Sequence, residues 1–358
     1  MTPPSKVKVL IVEDSPVVQQ LLAHIVGADP RLEVAGVAST GEEALRMVER
    51  AKPDVVSLDI RLPGIDGFEV TKRLMRQHPV PIVVVAADVK DLDIPMRALQ
   101  AGALAVVEKP VGLGRADYQA VARHLCTQLH GMSQVKVIRQ RTERFPVRSR
   151  VADPAPCAAA PARPPGGRYT ALGLVASTGG PPALVKVLSG LPKTFPLPIF
   201  LVQHIGAPFV AGFAQWLETV CPFPVELGRI GIRPLPGRVY VAPGDVHMTV
   251  ERGTIRLTGD APVCSQRPSG DVLFSSLASA YGPGAMGVLL TGMGEDGARG
   301  LLDMRRAGSY TIAEHASTAV IHSMPGTAVR LGAAVEELPL PQVAPRLVAL
   351  ASQQMEGV

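Results

Sequence analysis

The sequence has few cysteines, few aromatic residues and no long apolar run. Its four cysteines stand far apart among 358 residues and form no C-x-x-C pair, which argues against a disulfide framework and against a zinc site. Aromatic residues make up only 4%, so the interior must be built from Val, Leu, Ile and Ala. No apolar run approaches the ~18 residues that cross a bilayer, and the first residues lack the apolar segment of a signal peptide. We therefore expect a cytoplasmic protein without membrane insertion.

Basic residues are concentrated in one stretch of the chain. The formal net charge is +5, but residues 131–168 hold eight Lys or Arg against two acidic residues, an excess of +6 that leaves −1 for the rest. Residues 150–167 (RVADPAPCAAAPARPPGG) are rich in Ala, Pro and Gly, as in a linker. We predict one domain over 1–130, a basic and then Ala/Pro/Gly-rich linker over 131–168, and a second domain over 169–358. The charge lies outside both domains, so we expect no nucleic acid partner.

Short β-branched runs alternate with helix-compatible segments in both halves. In the first half the five runs are VKVLIVE, LEVAGVA, DVVSLD, PIVVVAA and ALAVVEK. Parallel strands need crossover helices, so this alternation predicts a five-stranded parallel sheet covered on both faces. In the second half ALGLVAS, PIFLVQH and GVLLTGM predict a doubly wound, mostly parallel α/β sheet. There, GRVYVAPGDVHMTV and TIRLTGD look like a β-hairpin insertion.

Four ionisable residues stand at the ends of predicted strands in the first half. Glu13 and Asp14 follow the first strand, Asp59 the third and Lys109 the fifth, and functional groups gather at the carboxyl ends of parallel strands. Three carboxylates repel one another unless a cation lies among them, and such oxygen ligands suit Mg²⁺. A metal there would hold a phosphate while a carboxylate attacks phosphorus and Lys109 neutralises the phosphoryl oxygens. Alternatively, the acidic side chains are solvated or cap helices, as Asp14 would before its Ser-Pro pair.

In the second half, a serine stands where a buried strand gives way to a helix. The segment LGLVASTGGPPALVKVL places Ser177 and Thr178 at that junction, followed by two glycines and two prolines. Glycines permit a tight turn, and a proline starts a helix without losing a needed N–H. The N–H groups of the helix N-terminus stabilise an oxyanion. The pattern suits a nucleophile, and it suits a phosphate-binding loop about equally well.

A nucleophilic serine needs a base and a group that orients the base. His204 ends the run PIFLVQH, and Asp296 ends the segment GVLLTGMGED, so both stand at or after strand ends as Ser177 does. Side chains from three parallel strands converge at one sheet edge, which predicts a triad of nucleophile, base and orienting carboxylate. The other histidines of this half are less well placed by this criterion.

The first half resembles a response-regulator receiver domain over residues 6 to about 125, in the motifs VLIVEDSPVV, SLDIRLPGIDGFEV and VVEKP. The resemblance implies a flavodoxin-like fold in which Asp59 accepts a phosphoryl group from a histidine kinase. It also implies Mg²⁺ held by Glu13, Asp14, Asp59 and the backbone carbonyl of Arg61, with Lys109 contacting the phosphoryl group.

Two positions depart from the receiver pattern. Ala86 ends the fourth strand where receivers have Ser or Thr to hydrogen-bond the phosphoryl group, and Val106 lies in the fifth strand where an aromatic switch residue is usual. We therefore expect phosphorylation at Asp59 to persist, while its coupling to the second domain is weaker or takes a different route.

The second half resembles the catalytic domain of chemotaxis protein-glutamate methylesterases, the CheB family. The motifs lie between residues 169 and about 335, and they are VASTGGPPAL, VQHIGAPFVAGFAQWL, VYVAPGDVHMTV, RPSGDVLFSSLA and LLTGMGEDGARGL. The resemblance implies a Ser177–His204–Asp296 triad, an oxyanion site formed with Thr178 and Met293, and no cofactor for the esterase. It implies hydrolysis of glutamate γ-methyl esters on methyl-accepting chemoreceptors, with glutamine deamidation as a related activity.

Two other functions compete with the esterase. A receiver-regulated phosphate- or nucleotide-binding signalling protein would want a Lys after the glycines, but Pro181 and Pro182 stand there. A transcriptional response regulator would need a compact basic helix-turn-helix unit after the linker, whereas the second half has the pattern of an α/β domain.

The two-domain organisation also suggests how the esterase is regulated. We expect an unphosphorylated receiver, tethered close to the esterase, to cover its active-site edge and phosphorylation to release it.

Overall fold

The fold consists of two parallel sheets, each with helices on both faces. The structure, a computed structural model, describes residues 6–86, 93–110, 118–135 and 169–352. We call residues 6–135 of this set the N-terminal unit and residues 169–352 the C-terminal unit. Residues 136–168, which include most of the predicted linker, lie outside the described residues.

The sheet of the N-terminal unit has five parallel strands in the order β2-β1-β3-β4-β5. This is the flavodoxin-like order predicted from the sequence. Strands β1, β3 and β4 are almost wholly buried runs of Val, Leu and Ile, because helices cover both faces of the sheet. The strands are β1 (Val7–Val12), β2 (Leu32–Ala38), β3 (Val55–Leu58), β4 (Ile82–Ala86) and β5 (Ala105–Glu108).

Local sequence signals fix where the N-terminal helices begin. Thr40 and Asp66 accept hydrogen bonds from the backbone N–H groups of Glu43 and Glu69, three residues on, as N-cap residues do. The last helix continues to Ser133, three residues past the predicted domain boundary at 130. The helices are α1 (Pro16–Ala28), α2 (Gly41–Ala51), α3 (Gly67–Gln77), α4 (Asp93–Ala101) and α5 (Tyr118–Ser133).

The main sheet of the C-terminal unit has seven strands in the order β14-β13-β12-β6-β7-β9-β8, and every pairing in it is parallel. Its first strand, β6, lies between β7 and β12, so the chain winds outwards from β6 in both directions. The crevice beside such a starting strand is where α/β proteins bind their ligands. The main-sheet strands are β6 (Ala171–Ala176), β7 (Ile199–Gln203), β8 (Val225–Leu227), β9 (Val239–Val241), β12 (Ala285–Leu289), β13 (Tyr310–Glu314) and β14 (Glu336–Leu338).

The predicted hairpin insertion is present, but it is shorter than expected. Strands β10 (His247–Glu251) and β11 (Thr254–Thr258) pair antiparallel as a separate two-stranded sheet. The run Val239–Val241 does not belong to the hairpin, because it pairs with β7 and β8 inside the main sheet. Its three residues are all buried, as an internal strand covered on both faces requires.

Helices cover both faces of this sheet. α6 begins at a proline-containing first turn, and α8 begins at Ser269, whose side chain accepts from the N–H of Val272. Within the described residues, no helix is both long and apolar enough to cross a membrane. The helices are α6 (Gly180–Ser189), α7 (Val210–Val220), α8 (Gly270–Tyr281), α9 (Ala298–Arg306), α10 (Ser323–Arg330) and α11 (Leu340–Ser352).

The two units pack against each other. Helix α4 of the N-terminal unit contacts α6 and α7 of the C-terminal unit, and Leu99 of α4 belongs to the buried apolar cluster of the C-terminal unit. In the other direction, Val320 and Ile321 pack against the apolar cluster that holds α5. Val106 of β5 packs against the buried clusters of both units. The interface therefore joins the α4-β5-α5 side of one sheet to the carboxyl edge of the other.

Candidate active site

Ser177 is the first residue of a tight turn between β6 and α6. The N–H of Gly180 donates to the carbonyl of Ser177 at 2.9 Å, as the fourth residue of a β-turn does. Gly179, the third residue, has φ +74° and ψ 0°, the angles of a type II turn. A Cβ on Gly179 would lie 2.6 Å from the Cβ of Val320, so both its conformation and its surroundings require glycine. The turn leaves Ser177 half-buried at the carboxyl end of its strand.

His204 and Asp296 meet at the same sheet edge. His204 follows β7, and its N–H donates to the carbonyl of Ala176 at 3.0 Å, which ties it to the end of β6. Asp296 follows β12, and its Oδ2 lies 2.8 Å from the Nε2 of His204. The side chains of His204 and Asp296 are only 5% and 2% exposed. The pair is thus a buried imidazole–carboxylate contact next to Ser177.

Asp296 is held by donors from the N-terminus of α8. Its Oδ1 accepts from the Ser269 hydroxyl at 2.6 Å and the Asp271 N–H at 3.2 Å, and its Oδ2 accepts from the Gly270 N–H at 2.6 Å. Burial by itself raises the pKa of Asp296, but hydrogen bonds from His204, Ser269 and Gly270 outweigh it and hold that pKa below its ordinary value. Asp296 is therefore a fixed anion whose charge faces the imidazole.

The other ring nitrogen of His204 is free to act as a base. Because Nε2 faces a carboxylate, it carries the ring proton, and Nδ1 is left with a lone pair. Nδ1 is buried and has no hydrogen-bond partner within the described residues. No hydrogen bond joins it to the Ser177 hydroxyl in this part of the chain, and such contacts often form only once substrate is bound.

A cavity of about 220 Å³ lies over these side chains, and we call it the active-site cavity. From the C-terminal unit, Ser177, Thr178 and His204 line it. The opposite wall comes from the N-terminal unit and includes Val106 and His124. The N-terminal unit therefore forms one wall of the cavity that contains Ser177.

The two predicted oxyanion residues lie in different surroundings. Thr178 is only 9% exposed and lines the active-site cavity. Met293 is half-buried, does not line that cavity, and lies against α5 of the N-terminal unit, where a Cβ added to Gly131 would be 2.6 Å from its sulfur. Met293 thus lies at the interface between the units, where their separation would change its contacts.

The acidic cluster of the N-terminal unit comes together as its sequence positions predict. Ligand oxygens of Glu13, Asp14 and Asp59 lie within 4.8 Å of one another. The Nζ of Lys109 lies 2.7 Å from Glu13 Oε2 and 2.8 Å from Asp59 Oδ2. Burial raises the pKa of Glu13, whereas the ion pairs with Asp59 and Glu13 outweigh burial and raise the pKa of Lys109. Three carboxylates, two of them buried, beside a single lysine fit a divalent cation, since carboxylate oxygens are hard ligands.

At the two departures from the receiver pattern, the structure has only apolar side chains. Ala86 is 3% exposed at the end of β4 and has no side-chain donor. Val106 contacts the C-terminal unit directly through its buried cluster.

Two residues that support Asp296 were missed by sequence reasoning. Ser269 precedes α8 and reaches Asp296 across 27 positions, and His247 accepts from the Ser269 N–H at 3.2 Å. His247 is 1% exposed, and its Nε2 lies 3.1 Å from the carbonyl of Ala261, so both ring nitrogens are engaged in supporting this loop. The N-cap pattern at Ser269 marks the start of a helix, but no sequence signal indicates that the same hydroxyl holds Asp296.

Known proteins with similar sequences cover almost the whole chain. Residues 9–117 match the response regulator receiver domain family, and residues 172–347 match the CheB methylesterase family. A protein-glutamate methylesterase/protein-glutamine glutaminase from Paramagnetospirillum magneticum is 51% identical over 348 residues, covering 97% of this chain and 98% of the relative. One from Syntrophus aciditrophicus is 45% identical, covering 96% and 98%.

Among solved structures, the CheB methylesterase catalytic domain of Thermotoga maritima is 32% identical, with a TM-score of 0.49, covering 51% of this chain and 98% of that one. The relatives match 96–97% of this chain at 45–51% identity, and both halves match their families separately. The chain therefore belongs to the CheB methylesterase family, with a response regulator receiver domain in its N-terminal half.

Proposed function

We propose that this chain is a phosphorylation-regulated protein-glutamate methylesterase acting on chemoreceptors in sensory adaptation. The observation that carries the proposal is the buried contact between His204 and Asp296, with Ser177 in the same cavity. The curated relatives are named for methylesterase and glutaminase activity. The receptors' cytoplasmic segments would be the substrates, so the enzyme acts in the cytoplasm.

In the proposed mechanism, the Ser177 hydroxyl oxygen attacks the γ-carbonyl carbon of a glutamyl methyl ester while His204 Nδ1 accepts the hydroxyl proton. The bond to the methoxy oxygen then breaks, and the proton passes from His204 to the leaving group, which departs as methanol. Water attacks the glutamyl-serine ester with the same base, and release of the carboxylate returns the proton to Ser177. Asp296 stabilises the imidazolium formed in each half. A proton-transferring base contributes about 10²- to 10⁴-fold.

The negative oxygen formed during both attacks needs donors. The turn N–H groups after Ser177 and the loop around Met293 flank the nucleophile, and we assign the oxyanion site to Thr178 and Met293. One such donor contributes about 10²- to 10³-fold. Glutamine deamidation needs the same acyl-enzyme, with ammonia leaving in place of methanol, so the glutaminase activity named for the relatives requires no further residues.

The direct test measures methanol released from methyl-esterified chemoreceptors by the full chain. We expect release that depends on enzyme concentration and on receptor methylation, with none from receptors that carry free glutamates. If methyl-esterified receptors release no methanol under any phosphorylation condition, the methylesterase proposal is wrong.

Phosphorylation is proposed at Asp59. Mg²⁺ would be held by Glu13, Asp14 and Asp59 together with the Arg61 carbonyl, and it would neutralise the phosphoryl oxygens. Lys109 lies 2.8 Å from Asp59 Oδ2 and supplies a second positive charge to the same group. A histidine kinase is the proposed phosphodonor.

Asp59→Asn should abolish phosphoryl incorporation from acetyl phosphate and Mg²⁺, because an amide is not a nucleophile towards phosphorus. Mass spectrometry of the intact chain checks this result. Asp54→Asn is the control, since Asp54 is exposed just before β3, at the opposite strand end from Asp59, and its carboxylate accepts from the Lys8 N–H. Equal incorporation in the wild-type chain and in Asp59→Asn would contradict the assignment.

Regulation is proposed to act by uncovering the active-site cavity. With the units packed together, α4 and β5 close the cavity over Ser177. Ala86 offers no hydroxyl to a phosphoryl group, and Val106 touches the C-terminal unit directly. We therefore propose that coupling runs through this direct contact and is weaker than in a receiver with the usual residues.

Removing the N-terminal unit should raise turnover. Residues 165–358 should release methanol about tenfold faster than the unphosphorylated full chain. In the full chain, a buried leucine contact such as that of Leu99 stabilises the closed state by about 1.5 kcal/mol or more. The truncated chain lacks this contact, so its cavity is always open, and this free-energy difference corresponds to about tenfold in rate. Turnover of both proteins, measured on the same receptor preparation without phosphodonor, checks this. Equal rates would rule out autoinhibition by the N-terminal unit.

A further inference from the structure

The turn that holds Ser177 contains a carbonyl that its own helix cannot satisfy. In a type II turn the central carbonyl, here that of Thr178, points away from the turn. The nearest residues of α6, Pro181 and Pro182, have no N–H to donate. Thr178 is 9% exposed, and a buried carbonyl needs a partner. The donor must therefore come from elsewhere in the fold.

Thr291, just after β12, supplies that donor. Its hydroxyl donates to the Thr178 carbonyl at 2.9 Å and accepts from the Ile321 N–H at 2.9 Å. Its backbone carbonyl accepts from the Ser177 N–H at 3.0 Å. Thr291 is 1% exposed, so water cannot replace these bonds. One residue thus contacts the peptide that precedes Ser177 and the Thr178–Gly179 peptide of the turn.

Thr291 is in turn fixed from the next strand. Its N–H donates to Oε2 of Glu314 at 2.8 Å, and Glu314 is fully buried at the end of β13. Burial raises the pKa of Glu314, and a carboxyl group accepts this hydrogen bond in either protonation state. The contact therefore anchors Thr291 whether or not Glu314 carries a charge.

We propose that Thr291 is a positioning residue for the nucleophile, whose hydroxyl fixes the orientation of the Thr178–Gly179 peptide. The proposal rests on the esterase function above and adds a residue to it. Without the hydroxyl, the Thr178 carbonyl is buried and unpaired, and rotation of that peptide towards another turn type relieves the cost. The rotation shifts Ser177 relative to His204 and the turn N–H groups, and small misplacements of reacting groups slow the chemical step.

The test compares two substitutions at this position in the full chain. Thr291→Val keeps the shape and removes the hydroxyl, and Thr291→Ser keeps the hydroxyl. We expect kcat for ester hydrolysis to fall about 10- to 100-fold in Thr291→Val, as expected for the loss of one or two buried hydrogen bonds. KM should change by less than about threefold, because the bonds act on the nucleophile rather than on bound substrate. Thr291→Ser should retain kcat within about threefold.

A matched control is available on β13. The buried Thr311 hydroxyl donates to the carbonyl of Ala333 at 2.6 Å and accepts from the Val335 N–H at 3.1 Å. Thr311→Val therefore also removes one hydrogen bond to a backbone carbonyl and one from a backbone N–H, but at a site distant in sequence from the turn that holds Ser177. We expect it to lower the urea midpoint of unfolding about as much as Thr291→Val does, while kcat stays close to the wild-type value.

A second readout separates this proposal from the esterase function. A fluorophosphonate reacts with an activated serine without any receptor substrate, and mass spectrometry reports its rate at Ser177. Thr291→Val should slow this labelling as it slows kcat, and equal labelling of Thr291→Val and wild type overturns the positioning role. If receptors are not hydrolysed but Ser177 is labelled, the substrate is wrong and the labelling rates still decide the role of Thr291. If Ser177 of the wild-type chain is not labelled, both the esterase function and the positioning role of Thr291 are wrong.

If Thr291→Val does not fold, Thr291→Cys replaces it, because a thiol is only a weak hydrogen-bond donor and acceptor.

Discussion

Replacing Ser177 with alanine should lower methanol release from methyl-esterified receptors on the order of 10⁴- to 10⁶-fold. In the proposed mechanism the hydroxyl oxygen is the atom that forms the acyl-enzyme, and alanine has no oxygen to replace it. Among the described residues no hydrogen bond is made by this hydroxyl, so its loss should change the free energy of unfolding by less than about 0.5 kcal/mol. Activity and stability should therefore separate completely in this variant.

Turnover and urea unfolding of Ser177→Ala, measured side by side, check this separation. Ser279→Ala is a suitable control, since its hydroxyl bonds to the Ser275 carbonyl on the exposed face of α8. The control should keep wild-type turnover. A Ser177→Ala chain with undiminished methanol release would rule out the nucleophile assignment.

Replacing Asp296 with asparagine should lower kcat by up to about 10⁴-fold. The side chain keeps its shape, but one carboxylate oxygen becomes an amide NH₂. The Ser269 hydroxyl and the Gly270 N–H already point at the two oxygens as donors. An amide therefore either places donor against donor or turns its NH₂ towards His204 and favours the wrong imidazole tautomer. If the NH₂ faces His204, Nδ1 carries the ring proton and loses its lone pair. If the amide oxygen faces His204, the negative charge that stabilises the imidazolium is lost.

Stability should show a matching pH dependence. The pKa of Asp296 is lowered from its ordinary value of 3.8, so its ionised form favours folding above that value, and the contribution is lost as pH falls through the folded-state pKa. The stability difference between wild type and Asp296→Asn should be largest near neutral pH and shrink below about pH 4. Urea unfolding at several pH values measures this difference, with the exposed Asp303→Asn as control. A difference that does not change with pH would contradict a depressed pKa.

The sequence predicts the strands and the triad positions because both depend on local patterns. Each long β-branched run of the first half forms a strand, since continuous apolar runs have only buried parallel positions available. Ser177, His204 and Asp296 were identified because each ends or follows such a run. The strands β8, β13 and β14 were not predicted. β8 and β14 have three residues each, which is too short for any periodicity to be visible, and β13 has five.

The contacts that support the site could not be predicted in the same way. Ser269 and Thr291 act across 27 and 113 positions respectively, and such pairings are set by how helices and strands pack. The closing of the cavity by α4 and β5 depends on the shapes of two surfaces, which leave no signal in the spacing of apolar residues. The shortened hairpin has the same cause, because Val239–Val241 gains more burial inside the main sheet than in a two-stranded ribbon.

The position of Leu99 in the core of the other unit makes access to the active site an equilibrium with a definite cost. Leu99 is 8% exposed and lies within the buried cluster of the C-terminal unit. Separating the units returns this side chain to water, and re-exposing a leucine costs up to about 1.5–3 kcal/mol. In the proposed regulation, this contact alone would hold the open population of the resting protein between about 0.6% and 7%. Under the proposed regulation, a phosphoryl group at Asp59 would have to favour the open state by a comparable free energy.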